Sequence, residues 1–151
     1  MPVTIRDANP NDIDHMLPLL EQLFSIEADF TFDPEVQRRG LALMLEGCGK
    51  HRAVKVAVAE DGRLVGMCTA QTRVSTAQGR VSAVVEDLVV DRNFRGQKIG
   101  QALMAAIHDW AKRRGITGLS LLADKHNTPG MAFYRSQGWE STDLVCLTKQ
   151  M

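Results

Sequence analysis

The stretch that most constrains the fold of this chain is residues 84–103, VVEDLVVDRNFRGQKIGQAL. It opens as a run rich in β-branched residues, which predicts a strand, and passes through a glycine-bearing turn. Ile99, Leu103, Ile107 and Trp110 then recur at spacings of four, four and three, one apolar stripe of an amphipathic helix. A strand that feeds a helix through so short a turn leaves the first helical N–H groups unpaired beside the positive end of the helix dipole. An anion is the natural occupant. Gly96 and Gly100 remove side chains where a diphosphate needs close backbone approach, and Arg95 and Lys98 add positive charge. The turn is neither GxxxxGK followed by Ser or Thr nor the GxGxxG of a dinucleotide fold. Junctions of this kind also close loops with nothing bound.

Around this segment the chain reads as alternating elements. Val3 and Ile5 alternate like a strand, and Asn9-Pro10-Asn11-Asp12 supplies turn and helix-start residues. Ile13, Met16, Leu17, Leu20, Leu23 and Phe24 share a helical face, with Pro18 a point of kinking. A second helix enters near Asp33-Pro34. Val54, Val56 and Val58 alternate, Asp61-Gly62 makes a tight turn, and residues 64–72 are rich in strand formers, which predicts a hairpin. Gln78-Gly79-Arg80 turns again into 81–90, giving three consecutive antiparallel strands. After the long helix, ended by Gly115, come a short strand over 117–123, a short helix over 128–137 closed by Gly138, and a last strand over 139–148. The order is β-α-α-β-β-β-α-β-α-β, an α/β (α+β) chain with a mixed sheet. With 151 residues and no repeat or linker, one domain spanning 1–151 is expected.

Charge and cysteine usage exclude several classes of function. Eighteen basic residues balance eighteen acidic ones, so no global field draws the chain to phosphate backbones or anionic membranes, and no nucleic-acid partner is expected. Arg38-Arg39 and Lys112-Arg113-Arg114 read as solvated helix ends. Cys48, Cys68 and Cys146 have neither disulfide nor metal spacing, and His15, His51, His108 and His126 form no ligand pair, so no metal is expected. With no signal pattern and no apolar run near the ~18 residues of a membrane span, a cytoplasmic protein is expected.

Residues 95–100 resemble the central pattern R/Q-x-x-G-x-G/A of the GNAT superfamily of N-acetyltransferases. Arg95 and Gly100 fit its two ends, and Lys98 stands where the pattern usually has its first glycine. A second match, residues 127–139, NTPGMAFYRSQGW, is similar to the family's N-x-x-A/G-x-x-F/L-Y-x-x-x-G-F/W. The resemblance covers essentially the whole chain. It implies acetyl-CoA as acyl donor, with its pantetheine arm inserted like an extra strand where the fourth and fifth strands splay apart. The implied contacts are Leu88, Val89 and Val90 for the arm, and Arg95, Gly96, Gln97, Lys98, Ile99, Gly100 and Gln101 for the pyrophosphate. Asn127 is implied to contact the cofactor and Tyr134 to sit near its sulfur.

Aminolysis of a thioester requires an alkylammonium of pKa roughly 10 to lose a proton and the departing thiolate to gain one. Tyr134 suits the acid role, because a phenol stays protonated at neutral pH. Glu86 suits the base role by strand parity with Leu88 and Val90, and its position before Arg95 resembles that in the spermidine/spermine acetyltransferases. A carboxylate that only binds substrate or pairs with an arginine remains the alternative. Asp87 points to the opposite face unless a bulge resets the alternation.

The expected function is acetyl transfer to a primary amine of a small molecule, by direct attack in a ternary complex. Phe24, Glu27, Asp29, Phe30 and Phe32 lie where the resemblance places the acceptor, an acidic and aromatic mix suited to a cation or simply a loop anchored by core aromatics. The alternatives are a protein or peptide acetyltransferase and a non-catalytic CoA-binding module. A homodimer agrees with the uncharged composition and the apolar run at 144–147, and dimers are common among the resembling proteins.

Overall fold

The computed structural model describes residues 2–27 and 29–151. They group into two compact units, Met1–Leu121 and Leu122–Met151.

The first unit opens with β1 (Val3–Asp7) and a 3-10 turn at Pro10–Asp12. Asn9 and Asp12 form a reciprocal capping box there, and the Arg6 guanidinium grips both oxygens of Asp12 at 2.7 and 3.0 Å. This grip holds the Asp12 carboxyl below the usual carboxylate range, against the opposing effect of burial. α1 (Ile13–Ile26) follows and runs through the exposed Pro18. α2 (Pro34–Glu46) is capped by Asp33, whose side chain accepts from the Glu35 N–H.

β2 (Arg52–Ala59), β3 (Leu64–Ser75), β4 (Arg80–Val90) and β5 (Leu119–Leu121) complete a five-stranded sheet in the order β1-β2-β3-β4-β5. The first three pairings are antiparallel and the last is parallel, which confirms the mixed sheet. The predicted fifth strand is shorter than 117–123, however. β5 pairs with β4 only from Ala83↔Leu119 to Val85↔Leu121. Beyond Val85, β4 runs on for five residues without β5 beside it, and this is the splay between the fourth and fifth strands.

Alternation along the strands divides the core. Met67 and Val89, paired across β3 and β4, join Val54 and Val56 in one cluster with Met16, Leu19, Leu20, Leu23 and Leu41 of the first two helices. Gly66, one residue from Met67, faces α3 (Ile99–Arg113) on the other side. A methyl group at Gly66 would meet Leu103 Cδ1 at 3.0 Å and Ile99 Cγ2 at 3.4 Å. The bare glycine therefore lets the first turns of α3 sit directly on the sheet.

In the second unit, Asn127 caps α4 (Thr128–Ser136) by accepting from the Gly130 N–H at 3.2 Å. A Cβ at Gly130 would lie 2.4 Å from Asn127 Nδ2, so the cap itself requires the small residue three positions on. The strand expected over 139–148 does not form. An extended run becomes a strand only when a neighbour supplies backbone partners, and among the described residues none does. Leu144, Val145 and Leu147 stand 87%, 80% and 88% exposed.

Candidate active site

The splayed end of β4 and the N-terminus of α3 define the site. β4 carries one residue more than β3 across a short span: Thr69 pairs with Glu86, but Met67 pairs with Val89. This is a β-bulge, and Asp87 absorbs it with φ at 52°. The inserted residue corrects the parity expectation, because it takes Glu86 out of phase with Leu88 and Val90. Asp87 instead turns toward the partner of Glu86, and its Oδ2 accepts from Thr69 Oγ1 at 3.1 Å.

The two neighbouring carboxylates therefore stand in different surroundings. Glu86 is exposed, whereas Asp87 is half-buried. Burial first, and the adjacent Glu86 charge second, push the Asp87 carboxyl up to about 6, against a smaller opposing effect of the Thr69 hydrogen bond. Cys68, opposite the bulge on β3, is fully buried, and burial raises its thiol far out of the reactive range.

Beyond Val90, a set of hydrogen bonds and a ring contact fix where the chain enters the turn. The Asp91 N–H donates to Val65 O at 2.8 Å, and the Asp91 carboxylate accepts from the Asn93 N–H. Gln22, reaching over from α1, donates its amide to Asp91 and accepts from the Arg92 N–H at 3.0 Å. Phe94 is buried under the Arg63 guanidinium, 5.1 Å from the ring centroid. The Arg95 side chain folds back to donate to Val90 O at 3.1 Å.

From Arg95 onward the backbone is open. Among the described residues, the N–H groups of residues 95–101 have no acceptor, and the next, that of Ala102, donates to Lys98 O. Gly96 and Lys98 both lie in the left-handed region, at φ of 79° and 64°. Left-handed residues in a turn are a common means of gathering successive N–H groups about an anion. Lys98, standing where the pattern usually has a glycine, takes this conformation at a cost of roughly 1–2 kcal/mol for a side chain there. No side chain caps α3. These features fit a diphosphate, and the unpaired length of β4 fits an extended arm running up to it.

Of the predicted residues, Glu86, Leu88, Val89 and Val90 lie on the length of β4 that β5 leaves unpaired, Val89 with its side chain in the core, and Arg95, Gly96, Gln97, Lys98, Ile99, Gly100 and Gln101 follow in the turn and the start of α3. In the second unit, Asn127 heads α4, and Tyr134 packs edge-on against Phe133 and Trp139, with ring centroids 5.6 and 6.3 Å away. Among the candidate acceptor residues, Phe24 and Phe30 stack at 5.3 Å. Sequence reasoning missed Gln22 and Thr69. Gln22 acts across 69 positions, and no local pattern signals that. Thr69 was concealed among strand formers.

Fold and site together define an α/β protein with a run of open amides at the end of a half-paired strand. The chain belongs to the acetyltransferase (GNAT) family, whose model matches residues 20–139. It is similar to an aminoglycoside N(6')-acetyltransferase of Stenotrophomonas maltophilia, 30% identical over 62% of this chain and 63% of that enzyme. It also matches an N-acetyltransferase of Methanocaldococcus jannaschii, 30% identical over 56% of this chain but only 38% of that protein's length. Among solved structures, an aminoglycoside N-acetyltransferase in complex with CoA aligns with a TM-score of 0.83 over 99% of this chain and 95% of its own, at 21% identity. That likeness is one of fold. Among the described residues, no helix is long and apolar enough to cross a membrane, and no cluster of side chains is arranged to hold a metal ion.

Proposed function

We propose that the protein is an acetyl-CoA-dependent N-acetyltransferase acting on a primary amine of a small cationic molecule. The observation that carries this reading is the run of unpartnered amides at 95–101, placed where the half-paired length of β4 ends. Leu88, Val89 and Val90 offer backbone groups to the pantetheine arm, and residues 95–101 hold the pyrophosphate oxygens. Asn127 is a further cofactor contact. Family membership supports the donor, and the similarity to the Stenotrophomonas aminoglycoside N(6')-acetyltransferase supports a small-molecule acceptor.

In the reaction the amine nitrogen forms a bond to the thioester carbonyl carbon and the carbon–sulfur bond breaks. The ammonium proton must first leave. Glu86, exposed on the strand, attracts the cation. Asp87, with its carboxyl near neutrality, takes the proton, directly or through Glu86, so the pair acts as one base. Tyr134 supplies the proton that the departing thiolate needs. No cysteine enters, because Cys68 is buried and held protonated; transfer is direct. Glu27 and Asp29, beside the Phe24–Phe30 stack, suit a cationic acceptor, as does Glu86, which favours a small molecule over a peptide. A cytoplasmic, dimeric enzyme is the accompanying expectation.

The test is a panel of di- and polyamines, aminoglycosides and peptides with acetyl-CoA, read by thiol release. Turnover with at least one small amine is expected. Calorimetric binding of CoA with no turnover on any acceptor would reduce the chain to a binding module, and turnover on peptides alone would move it to the protein acetyltransferases.

A further inference from the structure

The bulge in β4 leaves the two oxygens of Asp87 in unlike positions. Oδ2 accepts from the Thr69 hydroxyl at 3.1 Å, and among the described residues no hydrogen bond reaches Oδ1. Among those residues the one side-chain polar atom that is both sealed and unpartnered is Trp110 Nε1, so Oδ1 opens to the surface. One oxygen is held and the other is free. A proton acceptor needs this arrangement, because the proton can bond to Oδ1 while the side chain stays anchored through Oδ2.

Thr69 supplies the anchor. It lies opposite Glu86 on β3 and is 1% exposed. Valine would fill the same space and suits a strand equally well, so shape alone does not call for threonine. The hydroxyl has a single hydrogen to donate, and two acceptors lie within its reach, Asp87 Oδ2 and, at 3.2 Å, Glu86 O. The bond to an ionised carboxylate is the stronger of the two. When Asp87 is protonated the same hydrogen can turn to the Glu86 carbonyl, which leaves the buried hydroxyl partnered in either state. The Cys68 thiol, 3.8 Å from Glu86 O, can serve that carbonyl while Thr69 is engaged with Asp87.

Few charges act on the carboxyl. Glu86, next on the same strand, pushes it upward, and the Cys68 thiol across on β3 stays protonated. Among the described residues no charged group of α1 or α3, the helices packed on β4, acts on it. Thr69 provides the one opposing pull.

We infer that Thr69 is a positioning residue for acetyl transfer: its hydroxyl fixes Asp87 through Oδ2 and thereby presents Oδ1 to the amine proton. The N–H bond breaks with its electron pair left on nitrogen, and the proton, arriving directly or by way of Glu86, bonds to Oδ1. This inference rests on Asp87 acting as the base.

The experiment compares Thr69→Val, which removes the hydroxyl at nearly constant shape, with Thr69→Ser, which keeps it. Asp87 is followed by NMR through its side-chain couplings and carboxyl carbon, assigned with Asp87→Asn. Acetyl transfer is followed against pH on a small amine that the unmodified enzyme turns over. In the unmodified protein Asp87 should hold one χ1 rotamer on both sides of its titration midpoint. Thr69→Val should average the rotamer and weaken the acid about threefold or more, so that the midpoint and the acid limb of kcat/KM move together to higher pH. It should also lower kcat about tenfold while CoA affinity stays within about twofold. Thr69→Ser should restore the rotamer and the midpoint. Rotamer averaging already present in the unmodified protein would overturn the inference with no variant needed, and so would a Thr69→Val whose rotamer and midpoint are unchanged. Both of those results leave Asp87 free to be the base. A rotamer and midpoint that move while kcat and the acid limb stay fixed would overturn it by the other route, removing Asp87 from the base role.

Discussion

At the scale of residues, Asp87 makes the sharpest commitments. With its carboxyl near 6, kcat/KM should fall as pH drops through about 6, because the protonated acid accepts nothing. Asp87→Asn should lower turnover by ~10² and abolish that limb. If the limb persists in Asp87→Asn and disappears in Glu86→Gln, the base is Glu86 alone. Stability carries the opposite sign. The folded chain takes up this proton near pH 6, whereas an unfolded aspartate does so only near ~3.9. Ionised Asp87 therefore weighs against folding at pH 8, and Asp87→Asn should raise Tm there, the gain vanishing below about pH 4. Tyr134→Phe should cut turnover by ~10² with little change in CoA affinity; an unchanged rate would remove Tyr134 from the acid role.

At the scale of elements, the seat of α3 on β3 governs where the open amides lie. Gly66→Val would drive two methyl groups into Leu103 and Ile99, which already leave only 3.0 and 3.4 Å. Overpacking of this kind costs about 1–3 kcal/mol. The helix start should shift as well, so thermal denaturation should show the loss and calorimetry a weaker CoA complex. The helix and the turn before it were legible in the sequence because glycine spacing and an apolar stripe report on local backbone shape. Asn127 and Gly130 were legible only as positions of the resembled pattern; their pairing as the cap of α4 is a contact that the structure adds. The bulge was not, because an extra residue in a strand is visible only against its partner's register, and Thr69 lies 18 positions from Asp87. The last strand was misjudged from propensity alone: 139–148 has the composition of a strand but no neighbour to pair with among the described residues.

At the scale of the whole molecule, the three thiols report on integrity. Cys146 is exposed, Cys48 partly covered and Cys68 buried. Alkylation followed by mass spectrometry should label Cys146 first and Cys48 more slowly, with Cys68 modified only when the chain unfolds. Early labelling of Cys68 would contradict the packing around the bulge. The half-paired end of β4 reaches further. If the donor pairs there as proposed, part of the sheet's architecture is supplied from solution, and a donor present at a hundred times its dissociation constant adds about 2.7 kcal/mol to folding. Heat resistance then becomes a gauge of acyl-donor supply: the same chain is sturdy when the thioester is plentiful and the first to be cleared when it runs out.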